Sequence, residues 1–163
     1  MAATACATVA APSFDQQALH DALDDEYCAE ATYQAIIEKF GPVRPFINII
    51  RAEQRHSEMV KQQFARLGMD VPENTHLGAI EAPVSLLAAC KAGVEAEVEN
   101  IALYDRLLPK ISDPQVRATL TRLQAASRDN HLPAFRRCVA RGGTPGRGGG
   151  RGGGGGGWGG GKR

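Results

Sequence analysis

Five residues carry carboxylate or imidazole groups at spacings that suit joint chemistry: Glu26, Glu53, His56, Glu97 and His131. In Glu53-Gln54-Arg55-His56 two ligand types fall one helical turn apart on a single face. Glu30, one turn beyond Glu26, is a sixth candidate. An unpaired carboxylate in an apolar core costs several kcal/mol, so acids gathered there need partners or a metal. Carboxylate and imidazole donors suit iron or manganese better than copper or zinc. Helical bundles build such sites from an inward Glu on each of two helices and a Glu-x-x-His on each of the other two. His20, His76, Glu95 and Glu99 fall outside the pattern and read as surface groups. Cys28 is close to Glu26 in sequence but off its stripe, so it is not counted as a ligand.

Positioning these groups requires four amphipathic helices. The first spans about Asp15 to Phe40, with the stripe Leu19, Leu23, Glu26, Glu30, Tyr33, Ile37 and Phe40, Ser13 as N-cap and Gly41-Pro42 as the stop. The second, opened by Pro45, carries Phe46, Ile49 or Ile50, Glu53, His56 or Ser57, Val60, Phe64 and Leu67. After an aperiodic stretch from Gly68 to Glu81, a third helix runs from about Pro83 to Ile111 on Leu87, Cys90, Val94, Glu97, Ile101, Tyr104 and Leu108. Asp113-Pro114 starts a fourth, reaching about Val139 on Val116, Leu120, Leu123, Ser127, His131, Ala134 or Phe135, and Cys138. Pro133 lies inside it and must kink it, because proline cannot bond to the carbonyl of Asp129. No stretch alternates with period two. The expected fold is all-α: two antiparallel hairpins joined by a long crossover.

The domain is expected over residues 13–140, after a disordered leader at 1–12 and before a disordered Gly/Arg-rich tail at 141–163. Beyond Arg141 the tail carries Arg147, Arg151, Lys162 and Arg163 and no acid; removing these four from 19 bases leaves 15 against 18 acids. A mildly acidic body argues against a dedicated nucleic-acid binder, and the Arg-Gly-Gly units at Arg147 and Arg151 are a weak signal for one. Cys6, Cys28, Cys90 and Cys138 form no Cys-x-x-Cys pair; those in the helices are read as free buried thiols. No apolar run approaches the roughly 18 residues of a membrane span. The expected location is cytoplasmic, or exported if residues 1–12 end a longer signal segment.

The segments ALDDEYCAEATY, FINIIRAEQRHSEM, EAEVENIALYDRL and ASRDNHLPAF resemble the ferritin-like superfamily on its rubrerythrin-related side. More closely they resemble a family of bacterial and archaeal ferritin-like domains without assigned function. The resemblance covers about Phe14 to Cys138. It implies a carboxylate-bridged pair of iron or manganese ions held by Glu26, Glu53, His56, Glu97 and His131, with Tyr33 and Tyr104 hydrogen-bonded to ligating carboxylates. One position departs: where the second Glu-x-x-His needs an acid, this chain has Arg128. Either Glu30 substitutes, or the second ion is weakly held, or the site holds one metal, or Arg128 pairs with a core acid and takes the metal's place. Expected partners are peroxide or dioxygen, and pairing into a homodimer is open to such a bundle. The alternative is a non-catalytic scaffold neutralised by Arg128.

Overall fold

The computed structural model describes residues 12–144. The expected leader up to Ala11 and the tail beyond Thr144 lie outside the described residues. Helix α1 (Phe14–Phe40) opens on a capping box in which Ser13 and Gln16 each satisfy the other's backbone N–H, and closes at Gly41, whose φ of 82° suits glycine. Helix α2 (Phe46–Arg66) follows, with Pro45 at its N-cap rather than in its first turn. Helix α3 (Leu86–Leu107) ends in a short 3₁₀ turn at Leu108–Lys110, where Pro109 interrupts the regular ladder. It starts later than Pro83 because Ser85 is the cap, accepting from the N–H of Ala88. Helix α4 (Pro114–Ala126) is capped by Asp113, and passes through a π-helical turn (Ser127–His131) into α5 (Leu132–Ala140). Together α4, the π turn and α5 form the fourth rod of the bundle. Among the described residues there is no strand, and no helix is long and apolar enough to cross a membrane.

The connection between α2 and α3 travels along α1. Tyr27 donates to Pro72 O, His76 meets Asp24, and Lys39 donates to the carbonyls of Ala82 and Pro83. From Asp24 to Lys39 the loop follows one flank of α1, so α3 begins at the opposite end of the bundle from where α2 stops. At the end where α2 stops, Asp15 accepts from the backbone N–H groups of Ser112 and Asp113, tying the α3–α4 turn to the start of α1.

Two apolar layers result. One holds Leu19, Leu23, Phe64, Tyr104, Val116, Leu120 and Leu123. The other holds Tyr33, Ile36, Phe46, Phe135, Cys90 and Cys138. Cys90 and Cys138 are not free thiols. They form a disulfide with a Cα–Cα separation of 5.9 Å, possible because α3 and α5 face one another there; Cys28 is free and exposed. The inner face of α3 is also turned relative to its expected stripe. Gly93 and Asn100 are buried, and Val94 and Ile101 lie toward the edge. Gly93 explains the turn: a Cβ there would lie 2.7 Å from the Phe135 ring, so only glycine lets α3 and α5 approach this closely.

Candidate metal centre

Between the two apolar layers lies a layer of buried polar groups: Glu26 from α1, Glu53 from α2, Glu97 from α3 and His131 from the π turn, with His56 of α2 at its edge. Helical period carries the acids inward, and the antiparallel run of α1 and α3 explains a crossed pair of hydrogen bonds. Tyr104 OH donates to Glu26 Oε1 at 3.0 Å, and Tyr33 OH donates to Glu97 Oε1 at 3.1 Å. On each helix the tyrosine stands seven residues after the glutamate, about 10 Å along the axis. Antiparallel helices therefore bring each tyrosine opposite the other helix's acid. Burial and the facing carboxylates raise both phenols well above their usual range, so they remain O–H donors.

The acids and imidazoles fall into two trios that share Glu53: Glu26, Glu53 and His56, and Glu53, Glu97 and His131. His56 Nδ1 is 2.9 Å from Glu53 Oε2 and 3.3 Å from Glu26 Oε2. His131 Nδ1 is 3.1 Å from Glu53 Oε1 and 3.5 Å from Glu97 Oε1. Glu53 thus presents one oxygen to each trio. His131 Nδ1 is buried and, despite these distances, makes no aligned hydrogen bond. Its nitrogen and the two oxygens do not point at one another.

That arrangement fits a metal ion. Nitrogen and oxygen donors sit about 2.0–2.2 Å from a bound ion, so two donors at right angles about it are roughly 3 Å apart. Without an ion, the imidazoles supply the counter-charge. Burial by itself would lower their proton affinity, but the carboxylates outweigh it and push His56 up to about 9 and His131 up to about 10. Glu53 is buried too, yet the two imidazoles hold it below the usual carboxylate range. Glu26 goes the other way: burial, then the charge of Glu53, raises it well above that range.

Two residues singled out beside the five are elsewhere. Arg128 does not reach the core acids. Its side chain is 57% exposed and pairs with Asp129 at 2.9 Å. The π turn is the cause. Leu132 N–H bonds to Ser127 O across the wider turn, which stacks Ser127 over His131 and swings residue 128 outward. Pro133, which cannot donate to Asp129, accounts for the break in the regular ladder. Replacement of a metal by Arg128 is therefore overturned. Glu30 lies on the partly exposed flank of α1, accepts from Gln54 at 3.1 Å and belongs to neither trio.

A crevice of about 220 Å³ between α1 and α3 reaches Glu26, Glu53 and Glu97 from the surface. Asp25 and Asn100 stand at one end of it, hydrogen-bonded to each other. Burial raises Asp25 to about 6 in spite of the Asn100 amide. Neither residue was expected at the site. Asp25 is beside Glu26 in sequence, and Asn100 follows Glu97 by one turn, the only signal that could have found it.

No family model matches the chain, and no curated protein matches it. Among solved structures, the crystal structure of a hypothetical protein from Methanococcus jannaschii superposes with a TM-score of 0.72 at 20% identity, covering 87% of this chain and 89% of that one. At that identity the likeness concerns the fold, a helical bundle.

Proposed function

We propose that the buried Glu/His layer binds a pair of divalent ions of the iron or manganese class, and that the protein is a ferritin-like oxidoreductase acting on peroxide or dioxygen. The observation that carries this reading is His131 Nδ1, held within 3.5 Å of two carboxylates while bonded to neither. An isolated ion pair would align donor and acceptor; ligands of a common ion align toward the ion instead. The two-way placement of Glu53 and the resemblance of the surrounding segments to ferritin-like proteins support the same reading.

Bound there, such ions would supply one-electron steps to an oxidant. The chain's own residues set the conditions. Glu26, Glu53 and His56 would hold one ion, and Glu53, Glu97 and His131 the other. Tyr33 and Tyr104 fix the carboxylates they bond to and keep their protons there. The two histidines must lose their protons as ions enter, so binding releases protons and weakens as pH falls. The crevice between α1 and α3 admits a small reactant to the carboxylate side. The charge of Arg128 is spent on Asp129 at the surface, so it does not neutralise the buried acids. The test is metal analysis of protein produced in iron- and manganese-supplemented medium, beside Glu53→Ala and His56→Ala. Metal in the wild type that falls with each substitution supports the reading, and equal, trace metal in all three refutes it.

A further inference from the structure

The polar layer is open on two sides. The crevice between α1 and α3 meets its carboxylates; the charged groups lining it are Asp25, Glu26, Glu53, Glu97 and Glu99, with no lysine, arginine or histidine among the described residues. A groove of about 340 Å³ between α2 and the fourth rod meets the same layer from behind the imidazoles. Because α1 packs on α2 and α3 on α5, crevice and groove open on opposite faces of the bundle. Their charges are opposite too. Arg55, His56 and His131 line the groove, and no described acid does. On α2, Asn48, Ala52 and Arg55 share one face at helical spacing, and Ala126, Asn130 and Ala134 meet them from the fourth rod, four residues apart. The three alanines keep the space between the rods open.

Two observations say what fits. The first is the direction of the rings. Both Nδ1 atoms face Glu53, and the rings lie nearly parallel, 28° apart with centroids separated by 5.6 Å. Their Nε2 edges therefore turn away from the acids. Neither Nε2 has a hydrogen-bond partner among the described residues, and neither is sealed from solvent, unlike His131 Nδ1. The crevice touches neither histidine and the groove touches both, so the groove is what reaches these edges. An imidazole that gives Nδ1 to an ion keeps its hydrogen on Nε2, and the pair then presents two N–H donors side by side. The second observation is Arg55. It is exposed, and its guanidinium has no ion pair or hydrogen bond among the described residues, whereas Arg66 and Arg128 are each paired with an aspartate. A free guanidinium beside two N–H donors, with no acid in the lining, suits an oxyanion. The volume stands at the lower end of the roughly 300–1,000 Å³ of small-molecule sites.

We propose that this groove binds a tetrahedral oxyanion, of the phosphate or sulfate class, with Arg55 meeting its charge and Nε2–H of His56 and of His131 donating to its oxygens. Asn48 and Asn130 offer amide donors at the rim. The inference rests on the function proposed above, because it is the ion on Nδ1 that fixes the hydrogen on Nε2. The two faces then divide the work: the acidic crevice attracts cations, and the histidine groove holds an anion against the back of the ligands without displacing them.

Titration of the zinc-loaded full-length protein with sulfate at constant ionic strength tests this, followed by calorimetry and by the NMR signals of the histidine Nε2–H groups, with zinc content measured alongside. Sulfate is expected to bind saturably with Kd about 1 mM or tighter and to shift both Nε2–H signals. Arg55→Gln, an exposed position, should weaken sulfate about tenfold with zinc content unchanged, and Arg55→Lys should weaken it less. Phenyl sulfate is the second arm: binding tighter than sulfate assigns the site to the head of a small organic ester, and equal or weaker binding assigns it to the free anion. No saturable sulfate binding, unmoved Nε2–H signals, or binding that Arg55→Gln leaves intact while Ala96→Leu in the crevice abolishes it would each overturn the proposal. In those three cases zinc held by Glu53 and His56 leaves the metal centre standing. A protein that takes up no zinc overturns both readings together.

Discussion

The two trios around Glu53 use the same three groups, two carboxylates and an imidazole, but they are built differently. Glu26, Glu53 and His56 come from α1 and α2, consecutive helices of one hairpin, with the histidine on a regular helical turn. Glu53, Glu97 and His131 come from α2, α3 and the π turn, so they meet only after the two hairpins dock. The second trio also depends on the close contact of Gly93 with Phe135 and on the Cys90–Cys138 bond beside it. The difference teaches that equal ligand chemistry need not mean equal robustness. The first trio is local, and the second inherits every weakness of the tertiary packing around it.

Several substitutions would break or sharpen this contrast. The largest effect belongs to Glu53, shared by both trios: Glu53→Ala should take bound metal from about two ions per chain to near zero, read by elemental analysis. His56→Ala and His131→Ala should each remove about one ion. The remaining ion should be the more tightly held in His131→Ala, where the local trio survives; competition with a chelator ranks the two. Metal-free protein should also lose stability in alkali. Histidines whose proton affinity is raised by folding stabilise fully below their unfolded value near 6.5, and that contribution is lost as pH rises through about 9 and about 10. Thermal melts of chelator-treated protein should therefore fall between pH 7 and 10, and metal-loaded protein should resist the fall.

Smaller effects separate the trios through packing alone. Gly93→Ala forces a methyl against the Phe135 ring and should cost about 1–3 kcal/mol in denaturant melts. It should loosen the ion held by His131 while sparing the one held by His56. The smallest change is expected at Arg128. Its guanidinium is exposed and paired with a neighbour in sequence, so Arg128→Ala should shift stability by no more than about 0.5 kcal/mol. A loss of several kcal/mol would restore a role for that charge in neutralising the core.

Much of this was legible in the chain because helical period is local. Leu19, Leu23, Glu26 and Tyr33 on α1, and Glu53, Val60 and Phe64 on α2, lie on the inner face where their spacing puts them. The repeat of glutamate and tyrosine seven residues apart on α1 and α3 foreshadowed the crossed hydrogen bonds. What stayed hidden depends on neighbours remote in sequence. The stripe on α3 is rotated because Gly93 meets Phe135, a contact no single-helix pattern contains. Cys90 and Cys138 are 48 residues apart and pair only because α3 and α5 pack. Pro133 signalled a break in the fourth rod, but not that the break would widen into a π turn, keep His131 inward and expel Arg128. Asn100 lies off the expected stripe, and its place in the crevice lining comes from the rotation of α3.

The most direct test is the difference electron density or anomalous signal of a crystal grown with manganese. The account predicts about two peaks, one beside His56 Nδ1 and one beside His131 Nδ1, with a Glu53 oxygen toward each. No peak within coordination distance of these groups, with His131 Nδ1 instead donating a straight hydrogen bond to Glu53 or Glu97, would contradict it.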